Sequence, residues 1–377
     1  MKPKYLDCNA TTPIEPRIID IVKKYLLEDI GNAGSRTHEY GNIAKVAVQK
    51  ARDQVASVVK CKREEVIWTS GATESNNIAI QGLVEHCIRN NKKHIISTTI
   101  EHKSVLEPLK QLEKEGFEIT LVSPDMYGRI NPQDILNELR YDTLLISLMQ
   151  VNNETGVIQP IAEVAEGIKD KIVYFHVDAA QGFGKDIKAL QNPRIDMISI
   201  SGHKIYAPKG IGALITRRRD FLTPPLTPLV YGGGQERGLR AGTLPVHLIA
   251  GLGLSAELAL KENSKRIEYC QKIKDDALKA FGELNIKING DDKRTISNTL
   301  NISFIGLDSE AVMLSLKNLV AISNGSACTS HDYGVSHVLK AMNYSDEECQ
   351  EALRFSWCHL TEKPNWQEIA LIIKNLY

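Results

Sequence analysis

Lys204 is the residue of this sequence whose side chain is the strongest candidate for covalent chemistry. It follows an apolar segment, 197–201, that has the pattern of a buried strand, and Ser201 and His203 lie beside it. A partly desolvated lysine amine is a nucleophile that forms a Schiff base with an aldehyde. Lys204 is therefore a candidate for holding an aldehyde cofactor. The alternative is a surface lysine that ends a strand.

Asp178 and Gln181 follow the preceding predicted strand, 172–177. An aspartate that faces the same cavity as Lys204 would keep the pyridine nitrogen of pyridoxal phosphate protonated and make the ring an electron sink. The two positions together indicate a pyridoxal phosphate site. The alternative for Asp178 is a carboxylate that caps a turn.

A third strand end has the features of a phosphate site. The predicted strand 66–69 leads through Ser70 and Gly71 into a helical pattern that contains Thr73. Free backbone amides and the helix dipole bind anions at such a turn. The alternative is an ordinary helix cap in which Ser70 or Thr73 satisfies the first turn.

Two further polar residues follow predicted strands. His102 comes after the strand 94–98, and Asn153 comes after the strand 143–147. The carboxyl ends of parallel strands meet at one crevice, where ligands bind in open α/β sheets. A histidine there could stack on a flat ring and exchange protons near neutral pH. A satisfied structural histidine is the alternative.

Cys328 and Arg354 are the candidate groups in the last part of the chain. Cys328 lies among small, polar and glycine residues, which predicts a loop on which a thiolate could act as a nucleophile. Arg354 lies within an apolar run, where a guanidinium needs a carboxylate partner. An incidental loop cysteine and a structural ion pair are the alternatives.

Helical and strand patterns alternate between about residues 16 and 220, which predicts an α/β fold with a mostly parallel sheet covered by helices on both faces. A long helical pattern over 246–284 leads to a smaller α+β domain. The predicted sheet strands are 66–69, 94–98, 119–122, 143–147, 172–177, 197–201 and 212–216. Other predicted elements are the helices 16–27, 43–59, 309–317 and 366–376 and the strands 299–304 and 320–323.

Composition argues against several classes of protein. The 377 residues include 46 Lys plus Arg and 46 Asp plus Glu, so no overall charge favours direct contact with nucleic acid or a membrane surface. We find no bilayer-spanning apolar run and no signal-peptide pattern, and so expect a cytoplasmic protein. The seven cysteines lack zinc-site spacing, which predicts reduced thiols, six of them structural, and no metal site.

Seven short motifs, in a fixed order, are spread along most of the chain. They are Thr-Ser-Gly-Ala-Thr-Glu-Ser at 69–75, Glu-His-Lys at 101–103, Val-Asn-Asn-Glu-Thr-Gly at 151–156, His-Val-Asp-Ala-Ala-Gln at 176–181, Ser-Gly-His-Lys at 201–204, Arg-Gly-Leu-Arg-Ala-Gly-Thr-Leu-Pro at 237–245 and Gly-Ser-Ala-Cys-Thr-Ser at 325–330. In these motifs the sequence resembles the group I cysteine desulfurases of the class V aminotransferase family, from Leu6 to about Thr361.

The resemblance implies a fold-type I transferase that binds pyridoxal 5'-phosphate and forms a homodimer. It implies that Lys204 holds the cofactor, that Asp178 pairs with the pyridine nitrogen and that Gln181 contacts the phenolic oxygen. His102 would stack on the ring and shuttle protons.

The remaining roles concern the phosphate and the substrate, L-cysteine. The implied phosphate ligands are Ala72, Thr73, Ser201, His203 and, in the neighbouring subunit, Thr243. Asn153 and Arg354 would hold the oxygen side of the ring and the substrate carboxylate. Cys328 would take the sulfur as a persulfide, leave alanine, and pass the sulfur to an acceptor protein.

From the same resemblance we expect three parts of the chain. Residues 1–15 would form an N-terminal arm that packs with the small domain. Residues 16–258 would form the large cofactor-binding domain, and residues 259–377 would form the small domain that carries the catalytic cysteine loop.

The sequence departs from the family pattern at several places. Cys8 stands where another residue is more common, and Phe-Ser-Trp-Cys-His-Leu replaces the usual Phe-Ser-Leu-Gly-Arg-Phe after Arg354. The chain stops at Tyr377, without the further segment that helps iron–sulfur assembly members to dock their scaffold. We therefore expect a specialised acceptor, such as DNA phosphorothioation or tRNA thiolation machinery, more than iron–sulfur assembly.

Two other functions are compatible with parts of the pattern. A selenocysteine lyase would share the cofactor site, but its usual Arg-x-Gly-x-x-Cys loop does not match Ser323-Asn-Gly-Ser-Ala-Cys. A noncatalytic sulfur-carrier subunit would keep the fold, but it would not need Lys204, Asp178, His102 and Cys328 together.

Overall fold

The computed structural model describes residues 2–324 and 335–377. Its strands are β1 (Lys4–Tyr5), β2 (Val66–Thr69), β3 (His94–Thr98), β4 (Glu118–Val122), β5 (Thr143–Met149), β6 (Tyr174–Asp178), β7 (Met197–Ser201), β8 (Gly212–Thr216), β9 (Ile286–Ile288), β10 (Thr299–Phe304), β11 (Val320–Ala321) and β12 (Ala352–Ser356). Its α-helices are α1 (Pro16–Leu27), α2 (Glu39–Val59), α3 (Ala72–Gln81), α4 (Val84–Asn90), α5 (Lys103–Lys114), α6 (Pro132–Asn137), α7 (Ile161–Gly167), α8 (Val246–Phe281), α9 (Ser309–Leu316), α10 (His337–Ala341), α11 (Asp346–Gln350) and α12 (Trp366–Lys374).

The large sheet has the order β2-β8-β7-β6-β5-β3-β4. The pairs from β7 to β4 are parallel, whereas β8 runs antiparallel to both β7 and β2. The predicted α/β fold with a mostly parallel sheet is thus confirmed. β5, β7 and β8 are buried along their whole length, because apolar side chains cover both faces in two separate clusters.

Polar groups collect at one edge of this sheet because of the connections that leave its parallel strands. After β2 the chain turns at Gly71 directly into α3. After β3 it turns through His102, which caps α5 with its own side chain. β6 ends at Asp178, and β7 leads into a short 3-10 turn, Gly202–Lys204. The carboxyl ends of these strands therefore lie together.

The helix α8 links two hydrophobic cores. Its first turns, from Val246 to Ala256, contribute to the core that also contains α2 and one face of the large sheet. Its last turns, from Cys270 to Phe281, belong to a second core. That core covers a three-stranded antiparallel sheet in the order β12-β10-β9. A helix that packs into both cores fixes how the two lie relative to each other.

The N-terminal segment contacts the second core. β1 pairs in parallel with β11, and Asp7 forms a bridge with Ser356 at the end of β12. Leu6 is fully buried in the same core. The chain then passes from this core to the edge of the large sheet, which brings Asn9 and Ala10 next to Lys204.

Most element boundaries agree with the prediction to within a few residues. The largest differences are at helix ends, where capping decides the boundary. α2 begins at Glu39 rather than at 43 because the His38 Nδ1 accepts a hydrogen bond of 3.1 Å from the backbone amide of Gly41. The strands β1 and β9 are too short to carry a period-two pattern of their own, and the prediction does not contain them.

Among the helices of the described residues, none has the length and apolar content needed to cross a lipid bilayer.

Candidate active site

A cavity of about 530 Å³ lies at the carboxyl edge of the parallel strands. Most of the residues that the sequence analysis selected line it. They are Ala72, Thr73, His102, Asn153, Asp178, Gln181, Ser201, His203 and Lys204. Arg354 and Thr243 are not part of the cavity wall, and Cys328 lies outside the described residues. Residues from five separate segments of the chain therefore share one cavity, as the strand-end argument predicts.

Lys204 enters the cavity from the 3-10 turn after β7. Its Nζ donates to the backbone carbonyl of Ala10 at 2.9 Å and also to that of Asn9. Two carbonyl acceptors hold the amine in place and orient it. These acceptors belong to the N-terminal segment, so the fold of that segment helps to position the lysine.

Asp178 ends β6 and is 5% exposed. Its Oδ1 accepts from the backbone amide of Ala180 at 2.9 Å, and its Oδ2 accepts from Asn76 Nδ2 at 2.8 Å. Nearby, Gln181 Nε2 donates to the carbonyl of Asn9 at 2.9 Å. Asp178 is thus a well-anchored buried carboxylate that faces the cavity.

The turn from β2 to α3 forms one end of the cavity. Gly212 of β8 packs against this turn so closely that a Cβ there would lie 2.6 Å from the Cα of Gly71. Only a glycine at 212 allows this packing, which keeps the N-terminus of α3 directly above the strand ends. Ser70 and Thr73 are exposed at this end, and the backbone amide of Ser70 donates to Glu74 at 2.6 Å.

His203 also lines the cavity. Burial, together with the charges of Lys204 and Lys209, lowers the pKa of His203 to about 4. Its Nδ1 lies 3.1 Å from the hydroxyl of Thr11. His203 is therefore neutral at physiological pH and can offer one ring N–H to an anion, while Lys209 and Lys204 supply the positive charge.

His102 caps α5 and is half-buried against the cavity. Its Nδ1 accepts from the backbone amide of Ser104 at 3.1 Å and lies 2.8 Å from the Ser104 hydroxyl. Burial is the main reason that the pKa of His102 is lowered, although the charge of Asp178 opposes the effect. A neutral imidazole can both accept and donate protons at neutral pH.

Arg354 lies in β12 and is fully buried. Its Nη2 donates to Asp7 Oδ1 at 2.7 Å, and its Nη1 donates to the carbonyl of Asn153 at 3.0 Å. The Nε has no hydrogen-bond partner among residues 2–324 and 335–377. Arg354 therefore forms a structural ion pair with Asp7 and also contacts Asn153, which lines the cavity.

The described residues on both sides of the Cys328 segment form hydrogen bonds with residues next to this cavity. Ser323 pairs with Arg354 through backbone hydrogen bonds. On the other side, His337 Nε2 lies 3.0 Å from the carbonyl of Glu101, and Ser336 donates its hydroxyl to Glu154. The chain therefore leaves and re-enters the described region next to the cavity.

Thr243 lies outside the cavity and is exposed in this single chain. Large apolar side chains are exposed earlier on the same connection between β8 and α8, with Tyr231 81% and Phe221 93% exposed. Exposed apolar surface of this kind is typical of contact regions.

Several residues of the site carry no motif signal that the sequence reasoning used. Asn9 and Ala10 accept from Lys204, and Asn76 and Ser104 lie between Asp178 and His102. Lys209 also lines the cavity. Asn76 has one structural signal, because it is a polar side chain on the buried face of α3, beside Ile80, and requires a partner there.

Glu101 makes the stability of the fold depend on pH. Burial raises the pKa of its carboxyl to about 8, against hydrogen bonds from Met149 N–H and the Thr98 hydroxyl. Since this pKa is above the ordinary 4.5, its contribution to stability is complete below about pH 4.5 and is lost as the pH rises through 8.

We expect Glu101→Gln, which cannot ionise, to flatten this dependence. The wild-type free energy of unfolding should fall by on the order of 3 kcal/mol more than that of the variant between pH 5.5 and pH 9. Thermal unfolding at several pH values in that range measures this difference. The control is Glu113→Gln, at an exposed position on α5. Parallel curves for wild type and Glu101→Gln would contradict the prediction.

The residues present fit pyridoxal 5'-phosphate. A buried carboxylate, Asp178, faces the cavity and could pair with the pyridine nitrogen. Lys204, which contacts the N-terminal segment, offers an amine for the aldehyde. The β2–α3 turn and the neutral His203 supply hydrogen-bond donors for a phosphate. These three requirements are met by separate parts of one cavity.

Comparison with known proteins identifies the family. The family model of the class V aminotransferases matches residues 4–367. Cysteine desulfurase IscS of Vibrio cholerae serotype O1 (strain M66-2) is 42% identical over 362 residues, which is 95% of this chain and 89% of the relative.

Two solved structures have the same fold as this chain. DndA from Streptomyces lividans has a TM-score of 0.83 and 47% identity, covering 93% of this chain and 98% of DndA. SspA in complex with cysteine has a TM-score of 0.81 and 34% identity, covering 94% of this chain and 98% of SspA. The chain therefore belongs to the class V aminotransferase family, and within it to the cysteine desulfurases, which are enzymes that depend on pyridoxal 5'-phosphate.

Proposed function

We propose that the protein removes sulfur from L-cysteine, leaves L-alanine, and holds the sulfur as a persulfide on Cys328 before passing it to an acceptor protein. The observation that carries the proposal is the shared cavity of Lys204, Asp178 and His102, with the described residues on either side of the Cys328 segment attached beside it. Relatives named cysteine desulfurase at 42% identity support it.

The cofactor contacts follow from the positions of the cavity residues. Lys204 would hold the aldehyde carbon, and Asp178 would lie against the pyridine nitrogen with Gln181 near the phenolic oxygen. Ala72, Thr73, Ser201 and His203 would hold the phosphate. When bound, the cofactor supplies an electron sink that stabilises negative charge at the α-carbon of the substrate.

The substrate is held by its carboxylate. Arg354 is the proposed partner of this carboxylate: it is not part of the cavity wall itself, but its Nη1 donates to the carbonyl of Asn153, which is. A planar guanidinium matches a carboxylate in geometry and charge. The structure of SspA in complex with cysteine supports cysteine as the substrate.

Proton transfers would use two groups of this chain. The Lys204 amine lies in the cavity and would move a proton at its Nζ. His102 is neutral and can exchange a proton at its Nε2, because its Nδ1 is already occupied by Ser104. Cys328, as a thiolate, would attack the substrate sulfur, so that the S–S bond forms as the C–S bond breaks.

The test is a turnover assay with the purified, cofactor-loaded protein. We expect equal amounts of L-alanine and protein-bound persulfide in the first turnover, and continued alanine formation when a thiol reductant removes the persulfide. Turnover of selenocysteine but not of cysteine would instead assign a selenocysteine lyase. Protein without cofactor absorbance after addition of pyridoxal phosphate would instead indicate a noncatalytic sulfur carrier.

We propose further that the protein acts as a homodimer in the cytoplasm. The exposed Thr243 and the exposed apolar side chains at 221–231 fit a contact in which Thr243 reaches the phosphate of the neighbouring subunit. The six described cysteines are all free thiols, as in a reducing compartment. Mass measurement in solution and fractionation of cells test the two parts separately.

The proposed domain division is an arm over 1–15, a large domain over 16–258 and a small domain over 259–377 that carries the Cys328 segment. Two separate cores and the pairing of β1 with β11 support it. The acceptor would belong to iron–sulfur assembly, tRNA thiolation or DNA phosphorothioation. Transfer of radiolabelled sulfur from the loaded enzyme in a cell extract would identify the protein that receives it.

A further inference from the structure

Asp178 and His102 are joined by a continuous chain of hydrogen bonds. Asp178 Oδ2 accepts from Asn76 Nδ2 at 2.8 Å, and the same nitrogen donates to Ser104 Oγ at 2.8 Å. Ser104 Oγ lies 2.8 Å from His102 Nδ1. Asn76 is fully buried and Ser104 is 8% exposed, so these bonds are shielded from water.

The direction of each bond follows from what each group can donate. A carboxylate only accepts, so the Asn76 group that faces Asp178 is its NH₂. That NH₂ uses its second hydrogen on Ser104 Oγ. The serine hydroxyl is then an acceptor from Asn76, and its own hydrogen is left for His102 Nδ1.

His102 Nδ1 therefore receives two donors, the Ser104 hydroxyl and the Ser104 backbone amide. A ring nitrogen that accepts in this way carries no proton, which leaves the proton of the neutral ring on Nε2. The charged and titratable groups around the ring are Asp178, Lys204, His337 and Lys103. Of these, only Asp178 favours the protonated ring.

Ordinary packing does not explain Asn76. Its Oδ1 has no hydrogen-bond partner in the described part of the chain, although the residue is fully buried. A buried amide with one unsatisfied atom destabilises a fold. Its NH₂, in contrast, connects two groups that line the cavity, which gives the residue a role at the site.

We propose that Asn76 and Ser104 are positioning residues that connect Asp178 to His102 and hold His102 as the neutral ring with its proton on Nε2. The inference rests on the proposed function for its consequence, since it directs proton exchange with the substrate to Nε2. Asp178, which would contact the pyridine nitrogen, and His102, which would contact the ring face, then act as one unit.

The experiment is nitrogen-15 NMR of the cofactor-loaded protein with labelled histidine, titrated with pH. The His102 signals are assigned, among the ten histidines, by their loss in His102→Gln. In the wild type we expect an unprotonated Nδ1 and a protonated Nε2 at neutral pH. In Ser104→Ala only the backbone amide still donates to Nδ1. We therefore expect a larger share of the neutral form with its proton on Nδ1 and a pKa of His102 raised by about half a unit to one unit, the contribution of one neutral hydrogen bond.

Three further variants separate the hydrogen-bonded connection from general packing. Ser104→Thr keeps the hydroxyl and should restore the wild-type titration. Ser97→Ala removes another buried hydroxyl, which donates to the carbonyl of Ser147 at 2.9 Å, and should leave His102 unchanged. Asn76→Ala should shift His102 in the same direction as Ser104→Ala and should also shift the pH titration of the cofactor absorbance through Asp178.

An unchanged tautomer and pKa of His102 in Ser104→Ala would overturn the proposal, and so would an equal shift in Ser97→Ala. The titration needs no turnover. Wild-type protein that shows the expected signals but does not desulfurate cysteine would therefore refute the proposed function and leave the connection between Asp178 and His102 standing.

Discussion

Replacement of Lys204 by alanine is expected to remove the covalent attachment of the cofactor and to lower cysteine turnover by about 10³-fold or more. Lys204 lies in the cavity, with its Nζ held by the carbonyls of Asn9 and Ala10, and alanine removes both its nucleophilic amine and its proton-carrying group. The absorbance of the loaded enzyme and the rate of alanine formation measure the two effects. The matched control is Lys209→Ala, which changes another lysine of the cavity wall.

Lys209→Ala should keep the absorbance of the attached cofactor and lose far less activity, because its amine contributes charge alone. If Lys204→Ala kept both the attached-cofactor absorbance and turnover, the assignment of Lys204 would be wrong. If Lys209→Ala lost the absorbance and Lys204→Ala did not, the attachment would belong to Lys209.

Replacement of Cys328 by alanine is expected to separate cofactor chemistry from sulfur transfer. The variant should bind pyridoxal phosphate as the wild type does, and cysteine should still change its absorbance. Persulfide formation and alanine release should fall by about 10³-fold or more, because no thiolate is present to take the sulfur. Mass spectrometry of the protein after one turnover and an alanine assay provide the measurements.

Two other cysteines define the controls for this variant. Burial raises the pKa of Cys61 to about 12, so its thiol is protonated at neutral pH, and Cys61→Ala should behave as the wild type. A hydrogen bond from Cys8 lowers the pKa of Cys358, but Cys358 is fully buried and does not line the cavity. Wild-type sulfur transfer by Cys328→Ala would refute the role of Cys328 and would make Cys358 the next residue to replace.

The large sheet was predictable because its strands are short apolar runs that end in polar residues. The boundaries of β2, β3, β7 and β8 agree with the prediction residue for residue. Helix ends were less predictable because caps such as His38 act through side-chain contacts that a hydrophobic period does not report. The shortest strands depend on pairing partners far along the chain, as β1 does on β11.

The cavity residues that follow parallel strands were predictable for a related reason. A parallel sheet brings the carboxyl ends of its strands to one edge, so Asp178, Lys204 and His102 had to lie near one another once the strands were recognised. For Arg354 the sequence allows either an ion pair or a ligand group, and the structure places it against Asp7 with one nitrogen unpartnered among the described residues.

The sequence by itself determined the fold class and the residues at the ends of the parallel strands, because these depend on local patterns of apolar and polar residues. Only the tertiary structure decided what those residues touch. The carbonyls of Asn9 and Ala10 reach Lys204 from the start of the chain, and Asn76 and Ser104 connect Asp178 to His102 from two different helices. Such contacts join distant segments through one or two hydrogen bonds, which depend on how the helices and strands pack and leave no periodic pattern in the sequence.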